Sequence, residues 1–101
     1  MKYYVNKYDW NVRSTIFHKA IRCRKTYKMN DDDKKMKTIE HINQYLKNCE
    51  HKSHCYLTST NFNIIEIEIV IAVEGNIHQQ KKSTQYIREN VDKLVDAPCF
   101  S

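Results

Sequence analysis

The stretch NIIEIEIVIAVE, residues 63–74, admits few folds. As a strand it turns Ile65, Ile67, Ile69, Ile71 and Val73 to one side. Ile64, Glu66, Glu68, Val70, Ala72 and Glu74 turn to the other. The first face is wholly apolar and needs a cover; the second is mixed and partly wet. The run therefore predicts a long central strand of a sheet with helices on one side only, ended by Gly75 and Asn76.

The other elements follow from spacing. KYYVNKY, residues 2–8, is β-prone, and Asp9 to Asn11 reads as a turn. Over 12–28, Val12, Ile16, Ala20, Cys23 and Tyr27 fall within about 80° on a helical wheel, and Phe17 and Ile21 widen that face. A strand there would put Lys19 and Lys25 on one face with Phe17, Ile21 and Cys23, so a helix is expected. Residues 31–49 predict a second helix, capped by Asn30, with Asp31, Asp32 and Asp33 at the positive end of its dipole. Its apolar stripe is Met36, Ile39, Ile42, Leu46 and Cys49. Residues 50–54 form a polar connection, 55–60 are β-prone and 77–82 read as a polar loop. A last helix starts at Ser83 or Thr84, buries Ile87, Val91, Leu94 and Val95, and ends near Asp96 before Pro98.

At 101 residues the chain is expected to form a single domain over 1–101. The predicted fold class is α+β: a two-layer sandwich in which a small sheet, in β-α-α-β-β-α order, carries helices packed on one face. An open sheet edge invites a homodimer.

One glycine and one proline exclude Gly-rich phosphate loops, collagen-like repeats and Pro-rich linkers. The abundance of Lys, Asn, Ile and Tyr beside scarce Gly, Ala and Pro points to AT-rich codons, a viral origin among the sources that fit. The N-terminus has no apolar stretch, and the run Ile64 to Val73 is too short and too charged to span a bilayer. A soluble, intracellular protein is the expectation (host cytoplasm if viral), with no membrane partner.

The formal charge is +5, and it is lopsided. Residues 1–28 hold eight Lys or Arg against Asp9 alone; the rest of the chain holds nine basic and eleven acidic groups. The same segment carries Tyr3, Tyr4, Tyr8, Trp10, Phe17 and Tyr27. Cations neutralise phosphates and aromatics stack on bases, so this quarter is the candidate nucleic-acid surface, for DNA or RNA. The residues assigned to it are Arg13, His18, Lys19, Arg22, Arg24 and Lys25, with His18, Arg22 and Lys25 on one helical face. Contacts would be mainly to phosphates. The plainer reading is a solvated face over a core that uses the aromatics. Glu66 and Glu68 count against the sheet's outer face as the platform. A protein-interaction module without nucleic acid is the alternative, suited to acidic partners.

Other constellations are thinner. Cys49, His51, His54 and Cys55 have zinc-ligand chemistry but no second knuckle, and a Cys49–Cys55 disulfide also fits. With Cys23 and Cys99, four cysteines allow three pairings; free buried thiols are expected in a reducing cytosol. Glu66 and Glu68, about 6.6 Å apart on one strand face, would suit a small metal-dependent nuclease, or else a row paired with lysines. No turn exposes a nucleophilic serine, so no catalytic residue, resident metal or cofactor is assigned.

Overall fold

The computed structural model of the chain describes residues 10–15, 20–72 and 76–96. Six elements follow in the order β1 (Asn11–Thr15), β2 (Ala20–Lys28), α1 (Asp32–Lys47), β3 (Ser53–Thr60), β4 (Ile64–Ala72) and α2 (Ile77–Asp96). The strands form one sheet in the order β1-β2-β4-β3, every neighbouring pair antiparallel. The α+β class and the two-layer architecture are as expected. The element order is not, because the segment expected as the first helix is a pair of strands. The strand expected over 2–8 lies outside the described residues.

β4 is central, paired with β2 on one side and β3 on the other. Its isoleucines 65, 67, 69 and 71 are buried, in register with Tyr27, Cys23 and Ile21 of β2 and with Cys55 of β3. Ile42 and Leu46 of α1, and Ile87 and Val91 of α2, close over this face. Each fully buried aliphatic side chain of this kind contributes roughly 1.5–3 kcal/mol of transfer free energy. Among the described residues, the opposite face of the sheet carries no helix.

The correction over 12–28 has a definite cause. A strand does place Lys25 on the inner face beside Cys23 and Tyr27, but the ammonium is not left alone there. Lys25 Nζ donates to Asp92 Oδ1 of α2 at 2.6 Å, and Tyr27 Oη donates to the same oxygen at 2.6 Å. Trp10 Nε1 donates to Asp92 Oδ2 at 2.9 Å. The Trp10 and Tyr27 rings meet edge to face with centroids 6.3 Å apart, and Lys25 Nζ sits 5.0 Å from the Tyr27 centroid. Asp92 is only 1% exposed. Burial, with the hydrogen bond to Asp92, pushes the Tyr27 phenol well above its ordinary value.

Smaller corrections are local. Asp31, not Asn30, caps α1: its Oδ1 accepts from the Lys34 N–H at 3.2 Å. Met36 is 58% exposed; Lys35 and Thr38 are buried instead. Lys35 reaches over the β3–β4 turn, where Nζ donates to the Asn61 carbonyl at 2.6 Å. α2 starts at Ile77, so residues 77–82 are helix rather than loop. Asn76 accepts from the Gln79 N–H at 3.0 Å, and the Gln and Lys residues that follow are good helix formers. Thr84 is therefore buried mid-helix, its hydroxyl donating to the Gln80 carbonyl.

Asp92→Asn keeps a single acceptor oxygen, turns an NH2 donor toward the other donors of the cluster, and leaves the Lys25 ammonium buried without a counter-charge. It is expected to cost about 3–5 kcal/mol in urea denaturation, with Lys25→Met in the same chain recovering part of the loss. A shift below about 1 kcal/mol for Asp92→Asn would remove the buried pair from its place in this account.

Candidate functional site

The face of the sheet away from the helices collects exposed polar side chains of β1 and β2 around the buried Glu68 of β4. Two rows cross it in register. Asn11, Arg24, Glu68 and Tyr56 form one; Arg13, Arg22, Val70 and His54 form the next. Strand alternation alone puts these eight side chains on one side, because their neighbours Cys23 and Ile69 point into the core.

Glu68 is the pivot. Arg22 Nη1 donates to Oε1 at 3.0 Å, and Arg24 Nε donates to Oε2 at 2.8 Å. The carboxylate is enclosed, while the two arginine side chains remain 48% and 53% exposed. The hydrogen bond from Arg24, supported by that from Arg22, holds the Glu68 carboxyl below its ordinary range, against the opposing effect of burial. In return Glu68 raises the already high pKa of Arg24. Asn11, Arg13, Arg22, Arg24 and Glu68 line a shallow cavity of about 370 Å³.

Of the six cationic residues expected at the site, three converge: Arg13, Arg22 and Arg24. His18 and Lys19 lie outside the described residues. Lys25 does not join them. It is on the opposite face, 11% exposed at its side chain and bound to Asp92, so the helical grouping of His18, Arg22 and Lys25 does not form. Three residues the sequence reading left out share the open face: Lys28, at the end of β2, and Tyr56 and His54 of β3. Their rings are stacked at a tilt, with centroids 4.4 Å apart. Reading Arg22, Arg24, Thr26 and Lys28 at period two would have found the cationic stripe.

The other constellations disperse. Glu66 accepts from the Thr58 hydroxyl at 2.7 Å, so the two glutamates have separate partners. Among the described residues, no three His, Cys, Asp or Glu side chains come together as a metal group. The 49–55 segment splits: Cys55 points into the core, His54 onto the open face, and His51 Nε2 meets Ser83 Oγ of α2 at 3.1 Å. Cys23, Cys49 and Cys55 are free, so the Cys49–Cys55 disulfide is not formed. Among the described residues no helix is long and apolar enough to cross a membrane.

Two outcomes test this description. A carboxyl held low stabilises the fold above its ordinary value of about 4.5 and loses that contribution as pH falls through the lowered value. Wild-type urea midpoints are therefore expected to drop more steeply than those of Glu68→Gln below about pH 4.5; parallel curves would contradict the pairing. Burial pushes the Cys23 and Cys55 thiols up to about 11 and about 12. In a Cys99→Ser chain, a thiol reagent should modify half-buried Cys49 first and the other two only on unfolding; fast labelling of Cys55 in the native state would overturn their placement.

No family model, no curated protein and no solved structure matches the chain, so the geometry of this face carries the functional reading.

Proposed function

We propose that the open face of the sheet binds nucleic acid, mainly through phosphates, with Arg13, Arg22 and Arg24 as the contact residues and Lys28 adding charge. One observation carries the reading: a single enclosed carboxylate orients two arginines that keep about half of their side-chain surface exposed. A guanidinium has five N–H donors in a rigid fork. Glu68 takes one nitrogen from each arginine, which leaves the remaining donors of both for phosphate oxygens. Three arginines against one glutamate keep the patch net cationic. Contacts of this kind position a backbone without reading sequence. The protein is then a small intracellular binding module; the compositional bias toward AT-rich codons accords with a viral source.

One observation favours a second reading, docking of a protein partner or a second copy. Phe62 at the β3–β4 turn is 79% exposed, and edge strand β3 leaves Leu57 partly exposed as well. A β-bulge between Leu57 and Ser59 interrupts that edge, which works against strand pairing there.

A mobility-shift titration with DNA and RNA at two salt concentrations separates the readings. Affinity is expected to fall steeply with salt, with a log–log slope of about −2 to −3 for three phosphate contacts. Arg13→Glu/Arg22→Glu should abolish the shift, while Lys47→Glu/Lys93→Glu in the helical layer should leave it within about threefold. Unchanged binding by the arginine double variant, or no shift at low salt, would remove this face as the site.

A further inference from the structure

Resting on that reading, we infer that the face is built for single strands with unpaired bases, which stack on Tyr56 and His54 while Arg13, Arg22 and Arg24 hold the adjoining phosphates. The register separates two kinds of chemistry across the sheet. The arginines stand on β1 and β2; the rings stand on β3, in the same two rows, with Glu68 and Val70 of β4 between them. From β2 to β3 is two strand spacings, about 9.6 Å. That offset places cations along one margin of a lane and aromatic rings along the other, as a nucleotide places its phosphate and its base at opposite ends. Successive rows are about 6.7 Å apart along the strands; one sets Arg24 against Tyr56, the next sets Arg13 and Arg22 against His54.

The rings discriminate between strand states. In a duplex, each base is paired at its edge and covered on both faces by its neighbours, so a ring on a flat sheet has no base face to meet. An unpaired base offers that face, and stacking on an aromatic side chain is tolerant of base identity. Tyr56 is half exposed and His54 exposed, and the two rings lean on each other at 4.4 Å between centroids, so each steadies the other while both side chains stay exposed. Arginine–phosphate contacts alone would not distinguish a single strand from a duplex; the aromatic margin adds that preference. Val70, partly buried between Arg22 and His54, gives the lane an apolar floor instead of a competing acceptor. Glu66 is held by Thr58 two residues away from the first row.

Fluorescence anisotropy on the full chain tests this with labelled oligo-dT, oligo-U and a mixed-sequence DNA duplex of equal length. Single strands are expected to bind at least tenfold more tightly than the duplex, and the dT and U arms show which sugar is preferred. Tyr56→Val, which keeps strand propensity, should weaken single-strand binding about tenfold and leave duplex binding unchanged. Tyr56→Phe should restore it. Equal binding of duplex and single strand, unaffected by Tyr56→Val, would overturn this inference and leave phosphate binding by the face intact. Loss of both binding modes in Tyr56→Val with an unchanged urea midpoint would also overturn it. No binding to any of the three probes at low salt would overturn the parent reading, and this one with it.

Discussion

The buried contact between Lys25 and Asp92 decides which way β2 faces. Side chains alternate along a strand, so a slip of one residue exchanges its faces completely. Without a partner for Lys25, the register seen here would bury a bare ammonium, at a cost of about 3–5 kcal/mol. The opposite register would bury Arg22 and Arg24. Asp92 removes the conflict: it accepts from Lys25, Tyr27 and Trp10 together, which ties β2, α2 and the entry to β1 at one carboxylate. A buried ion pair is not by itself strong evidence for stability. Its effect here is on choice of register, and the consequence is felt on the other side of the sheet, where Arg22 and Arg24 are turned to solvent. The core and the candidate site are thus two readouts of one alternation.

What could be read from the chain follows from how local the deciding interaction is. Residues 63–74 alternate so strictly that strand, central position and covered face were all legible, and β4 bears this out. The helix over 31–49 was legible from its acidic start and its Ile42 and Leu46 spacing. The 12–28 segment was misread because the residue that makes Lys25 acceptable inside lies 67 positions away, in α2. The start of α2 is hard to read for a different reason: HQQKK is polar but helix-prone, and polarity alone does not separate a solvated helix from a loop. Met36 fits the helical stripe by spacing, yet α1 is rotated so that Lys35 and Thr38 face inward, an orientation set by the Lys35 contact with the β3–β4 turn.

The site was legible in its charge and not in its shape. The excess of cations in the first quarter of the chain was plain, and three of the six residues singled out do converge. Their grouping depended on the period assumed. A period near 3.6 joined Arg22 to Lys25; the real period of two joins it to Arg24 and, across the ladder, to Arg13. The aromatic partners of the face come from β3, distant in sequence from the basic segment, and no local pattern could have joined Tyr56 to Arg24. Only the order β1-β2-β4-β3 does so.

Glu68 looked from the sequence like an obstacle to any polyanion on this face. Its geometry gives that view a second side, because both of its oxygens are engaged by arginines. A phosphate on the order of 6 Å from the carboxylate would feel a repulsion of about 0.7 kcal/mol in bulk water and about 2.8 kcal/mol at the effective dielectric of about 20 typical near a protein surface. Ordering a rotamer-rich side chain on binding costs roughly 0.5–1.5 kcal/mol each time it is required. Glu68 has already ordered two arginines, and it does so from an enclosed position in which both of its oxygens are occupied. The saved ordering, about 1–3 kcal/mol for the two side chains, is of the same order as the repulsion and is not screened by salt. Placing one acid among three arginines therefore gives up part of the field for a fixed arrangement of donors, an exchange that suits the proposed hold on a flexible chain by its phosphates.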